Sequence, residues 1–203
     1  MKFALILAVV PLFASADVQR LVFSKSFPGS APPYVEITLD RNGNSSYKEA
    51  ADDDQPLRFQ ISESDVGAIF GLADKLGHFN HPLESPLKVA FMGTKTFRFE
   101  AGDEKQEVKF NYSEDPDAQA LLDWFERISE TEQHVINLER AVKYDKLGVN
   151  DALLLLQISF DHKRLVAPQQ LLPLLDRVVK NDSYMHMARE RAAGLAEAIR
   201  ASK

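Results

Sequence analysis

Residues 116–148, PDAQALLDWFERISETEQHVINLERAVKYDKLG, decide how the rest of the chain is arranged. Pro116 stands where proline opens a helix, Gly148 marks a stop, and Leu121, Leu122, Phe125, Ile128, Val135, Leu138 and Val142 share one helical side. The spacing predicts one helix of about thirty residues, long for a globular protein. Glu132 interrupts the apolar side, which predicts a bend or a change of packing partner there. Three shorter helices are predicted after it, over residues 150–160, 168–180 and 182–201. The loops between them are short, so neighbours should run antiparallel.

Upstream of this helix the apolar period is two. Val35, Ile37 and Leu39 alternate with Glu36, Thr38 and Asp40, and Phe97 and Phe99 alternate with Arg98 and Glu100. Val108 and Phe110 continue the pattern. Turns at Asp40–Asn44 and Ala101–Glu104 join such runs into hairpins of an antiparallel sheet with one dry and one charged face. Between the hairpins Val66, Ile69, Phe70, Ala73 and Leu76 form a helical stripe, with Ser62 as N-cap and Gly77 as stop. The fold class read from these patterns is α+β: a small antiparallel sheet with one covering helix, followed by a C-terminal helical region of about four helices. Trp124, one residue off the main stripe of the long helix, is expected at the boundary between sheet unit and helices.

The start of the chain, MKFALILAVVPLFASA, reads as a secretory leader: Lys2, an apolar stretch from Phe3 to Phe13, and an Ala14-Ser15-Ala16 cleavage site. Its apolar stretch is too short to span a bilayer. The expected organisation is a leader over 1–16, cut after Ala16, a sheet unit over 17–115, and a helical region over 116–203 packed on it. The mature chain is thereby expected in the periplasm or outside the cell, with no stable membrane anchor. Without Lys2 the 24 basic residues fall to 23 against 30 acidic ones, a net charge of −7. Such a surface opposes phosphate backbones, so nucleic acid is not an expected partner, whereas another exported protein is. Cysteine is absent, which removes disulfides, thiol nucleophiles and thiolate metal sites.

The segment from Tyr34 to Tyr47, with its strand, Asp40-Arg41-Asn42-Gly43-Asn44 turn and second strand, resembles a domain of unknown function of exported bacterial proteins. The resemblance covers residues 20–128 and implies no activity. Leu171–Val179 with Ala188–Leu195 is similar to a single HEAT-type helical hairpin. One such repeat cannot bury its own face, so it is expected to dock on the long helix.

His78 and His81, with Glu84 nearby, are the candidate metal or acid/base residues, since two imidazoles and a carboxylate on one loop can converge on an ion. The competing reading gives both histidines ordinary loop roles after a helix end. Asp52-Asp53-Asp54 could offer calcium hard oxygens but reads better as a solvated hairpin end. Asp40, Asn42 and Asn44 imitate an EF-hand, yet Gly43 precedes Asn44 and Ala51 stands at the twelfth position. His134, His162 and His186 lie beside charged neighbours, and a serine triad requires the fold to bring Ser and His together. Tyr184, Met187, Ala188, Arg191 and Leu195 share a helical face and are expected in a core. No common hydrolase, zinc-protease or nucleotide-binding motif occurs, and no cofactor is implied. Three functional readings follow: an exported non-enzymatic binding or scaffold protein, a metal-dependent enzyme or binder centred on His78, His81 and Glu84, and a partner-docking helical module.

Overall fold

The structure, a computed structural model, describes residues 18–202, and the leader lies outside the described residues. The period-two segments form six strands: β1 (Arg20–Ser26), β2 (Tyr34–Asp40), β3 (Asn44–Lys48), β4 (Leu57–Gln60), β5 (Thr94–Ala101) and β6 (Glu104–Phe110). All neighbours pair antiparallel, in the order β4-β3-β2-β1-β5-β6. The pairing register stacks Leu39, Leu21 and Phe99 in one row and Ile37, Phe23 and Phe97 in the next, all buried. The two predicted hairpins are β2–β3 and β5–β6. At the first, Asp40 Oδ1 accepts the N–H groups of Asn42 and Asn44, both at 2.9 Å, so the EF-hand imitation is an ordinary turn. Gly43 has φ +83° there, and any Cβ would collide with the Ile61 carbonyl. The opposite sheet face is charged, with Lys48 3.1 Å from Glu36 and Arg98 3.0 Å from Glu100.

Helix α1 (Glu63–Lys75) begins where Ser62 Oγ accepts the Asp65 N–H at 3.2 Å, and its buried row is Val66, Ile69, Phe70 and Ala73. It covers the dry face as expected, and the first half of α2 (Pro116–Tyr144) lies on that face beside it. Asp115 caps α2 by accepting the N–H groups of Asp117 at 2.8 Å and Ala118 at 3.1 Å. Phe125 of α2 stacks on Phe23 with ring centroids 5.0 Å apart, closing a core of Leu121, Phe125 and Ile128 against the sheet.

The second half of α2 changes partner, as the interruption at Glu132 predicts. Leu138, Ala141 and Val142 join a separate core with α3 (Val149–Asp161), α4 (Leu172–Val179) and α5 (His186–Ala201). A 3-10 turn over Pro168–Leu171 leads into α4. Helix α5 starts four residues later than the reading from Asp182, because Asn181 accepts the N–H groups of Ser183 and Tyr184 in a turn. The Tyr184 hydroxyl then donates to the Val142 carbonyl at 3.0 Å. Ala188, Ala192 and Leu195 form the buried row of α5; Met187 lies one residue off it and is 53 % exposed, outside the core expected for it. Among the described residues no helix is long and apolar enough to cross a membrane.

At the change of partner Thr131 and Glu132 are buried, Glu132 to 1 % exposure. Thr131 Oγ1 donates to the Arg127 carbonyl at 2.9 Å and accepts the Val166 N–H at 3.0 Å. Glu132 Oε1 accepts from Gln170 at 2.7 Å, while its Oε2 has no hydrogen-bond partner. Burial pushes the Glu132 carboxyl up to about 7 against the opposing effect of the Gln170 bond. The folded chain therefore holds this proton to higher pH than the unfolded chain does. Its contribution to stability is complete below the ordinary value of 4.5, falls as pH rises toward about 7, and is flat above. Glu132→Gln should flatten that fall and leave the variant more stable than the parent at about pH 8, by on the order of 2 kcal/mol. Denaturant titrations across this range check it, and parallel curves for the two proteins would contradict it.

Candidate functional site

The three loop candidates each take a different partner. His78, at φ +53°, lies flat on Phe99 with ring centroids 4.0 Å apart, and its Nε2 is 2.9 Å from Asp74 Oδ1. His81 Nδ1 is 3.2 Å from the Asn80 side-chain oxygen. Glu84 accepts the Asn111 N–H at 2.5 Å. Among the described residues no group of three or more histidines and carboxylates is placed to hold a metal ion. Asp52, Asp53 and Asp54 are exposed on the β3–β4 turn, where Asp53 accepts the Gln55 N–H at 2.9 Å. His162 and His186 are exposed, the latter 3.2 Å from Glu190.

The fold does bring a serine to a histidine, at His134, through a serine that the sequence reading did not name. Ser159 of α3 donates to Glu130 at 2.6 Å, and His134 Nε2 lies 2.9 Å from the same hydroxyl. Because the serine proton points at Glu130, the imidazole must donate to Oγ, and it cannot at the same time accept the serine proton as a triad base does. Burial also lowers the His134 pKa, against the opposing charge of Glu130, and so favours the neutral ring. Arg164 completes the set, donating to Glu130 at 3.0 Å and to Asp123 at 2.6 Å. This network is a tether between α2, α3 and the loop that follows α3. A second inward-facing polar group, Lys95, is 6 % exposed beside Lys25 on the neighbouring strand and donates to the Asn111 carbonyl at 2.6 Å. Burial and Lys25 lower its pKa, but its ammonium is already engaged by the main chain.

Among the described residues a wide concavity lies where the two cores meet. A groove of about 970 Å³ runs between the β4–α1 connection, with Ile61, Ser62 and Ser64, and the loop after α3, with Lys163, Leu165 and Pro168. Phe160 and Arg127 form part of its lining. Arg127 is held with its guanidinium carbon 4.7 Å from the centroid of the Trp124 ring, and its buried Nε has no hydrogen-bond partner. Trp124 itself is half-buried and packs against the sheet-side core, one helical turn from this groove residue. The opposite rim is strained and pinned. Lys163 and Ala167 have φ +57° and +51°, conformations that glycine adopts freely and other residues at a cost. The Lys163 N–H reaches the Phe160 carbonyl and the Arg164 N–H the Ser159 carbonyl, both at 2.9 Å, the Schellman arrangement with lysine in glycine's place. Thr131 and Arg164 then fasten this loop to α2 through the bonds described above.

Neither a known protein-family model nor a curated protein matches the chain. The groove's character is therefore read from its own residues. If its rim is strained at Lys163, Lys163→Gly should stabilise the chain by up to about 1 kcal/mol and Lys163→Val should destabilise it by a similar amount. Thermal unfolding of the two variants checks this, and the reverse order would contradict it.

Proposed function

We propose that this chain is an exported, non-enzymatic binding protein that holds its ligand in the groove between the sheet-side and helical cores. The carrying observation is a preformed concavity with a half-buried Arg127 in its lining that makes no ion pair with the rest of the protein. A groove of this size, with Ile61, Phe160, Leu165, Ala167 and Pro168 among its walls and polar side chains between them, has the character of a small-molecule or peptide site. Its residues do not assemble a reactive set. Ser62 Oγ accepts the Asp65 N–H and lies 3.0 Å from the Ser64 hydroxyl, and no histidine lines the groove. The leader over residues 1–16 supports export, and the acidic surface supports a freely soluble life outside the cytoplasm.

Hydrogen exchange on the mature chain in the presence of a fragment library tests this. Binders should slow exchange in residues 60–65 and 163–169 and leave the charged sheet face unchanged, while hydrolase and glycosidase substrate panels show no turnover. Binders that protect the loop from His78 to Glu84 instead, or turnover abolished by His78→Ala or His81→Ala, would overturn the proposal.

A further inference from the structure

The other half-buried arginines show what Arg127 lacks. Arg98 lies within ion-pair distance of Glu100 and Glu107, though its Nε, like that of Arg127, makes no hydrogen bond; Arg164 pairs with Asp123 and Glu130, and Arg189 with Asp182 and the Val179 carbonyl. Arg191 donates to Asn150 and Gln157. Among the described residues, Arg127 alone of this group makes no side-chain hydrogen bond or ion pair. Only the Nε of Arg127 is shielded; its two Nη groups make no hydrogen bond or ion pair within the protein and can take an acceptor that arrives in the groove. Stacking on Trp124 occupies its face and leaves its N–H edge for an in-plane, two-oxygen partner.

We infer that the groove selects a monocarboxylate carried on an apolar body, with Arg127 binding the carboxylate and Ile61, Phe160 and Leu165 the body. This inference rests on the groove being the binding site. Asp65, Asp161 and Lys163 also line the groove. Asp161 and Lys163 are exposed and screened by water, and Asp65 sits in the first turn of α1, where the helix end balances its charge. Arg127 and Lys163 are balanced by Asp65 and Asp161 in the lining, so the groove carries no large positive excess, which favours a monocarboxylate over a phosphate dianion.

Decanoate, with decanol as its uncharged match, is titrated into the full mature chain below micelle-forming concentrations. The emission of Trp124, the single tryptophan, and calorimetry report binding. Decanoate should bind at least about tenfold more tightly than decanol, and Arg127→Met should remove that preference without weakening decanol. Arg127→Lys, which keeps the charge and loses the fork, should retain part of it, and circular dichroism confirms that each variant is folded. Equal affinity for the two probes, or a preference that survives Arg127→Met, overturns the carboxylate assignment and leaves the groove as a binding site. Binding of neither probe also overturns it, and the fragment exchange experiment then decides separately whether the groove reading falls with it.

Discussion

One helix has to satisfy two cores at once. The first half of α2 is committed to the sheet through Phe125 on Phe23, and the second half is committed to the helical region through Leu138, Ala141 and Val142. A helix of 29 residues is too stiff to bend freely between these tasks, so its midpoint fixes where the two cores stand. That midpoint is polar. Glu132 finds no partner within the helix and takes Gln170, while Thr131, already bonded to the Arg127 carbonyl one turn back, also accepts the Val166 N–H, both from the α3–α4 connection.

The groove follows from that requirement. Once the connection after α3 is drawn onto the middle of α2, it stands across from the start of α1, which the sheet holds in place, and the space between them is left open. The same requirement accounts for the strain on the rim. The chain must leave α3 sharply to deliver Val166 to Thr131 and Arg164 to Glu130, and Lys163 and Ala167 take left-handed conformations to do so. Arg164 has two carboxylates there, whereas Arg127, one turn before Thr131, has none. The unpaired arginine thus belongs to the same joint that shapes the cavity.

Much of the fold was legible in the sequence because its signals are local. Alternation at Val35–Leu39 and Phe97–Phe99, the Ser62 cap, the Asp40 turn and the stripe along 121–142 each operate within a few residues, and Glu132 marked the change of partner. The start of α5 was less so, since the turn made by Asn181 competes with helical continuation by a margin that spacing does not express. The groove was not legible. Its walls come from residues 60–65, 127, 160–169 and 202, and each is ordinary where it stands. The one available clue was Trp124 followed three residues later by Arg127, a spacing that puts a cation over an aromatic face on a helix. The histidine loop shows the converse: a compact local pattern turned, by the positive φ at His78, onto Phe99 and Asp74.

The central claim is that α2 binds both cores into one cooperative unit. Equilibrium unfolding in denaturant, followed by Trp124 emission for the sheet side and by far-ultraviolet circular dichroism for the helices, tests it most directly. The account predicts coincident transitions with a single midpoint. Two separated transitions, one core melting while the other stands, would contradict it.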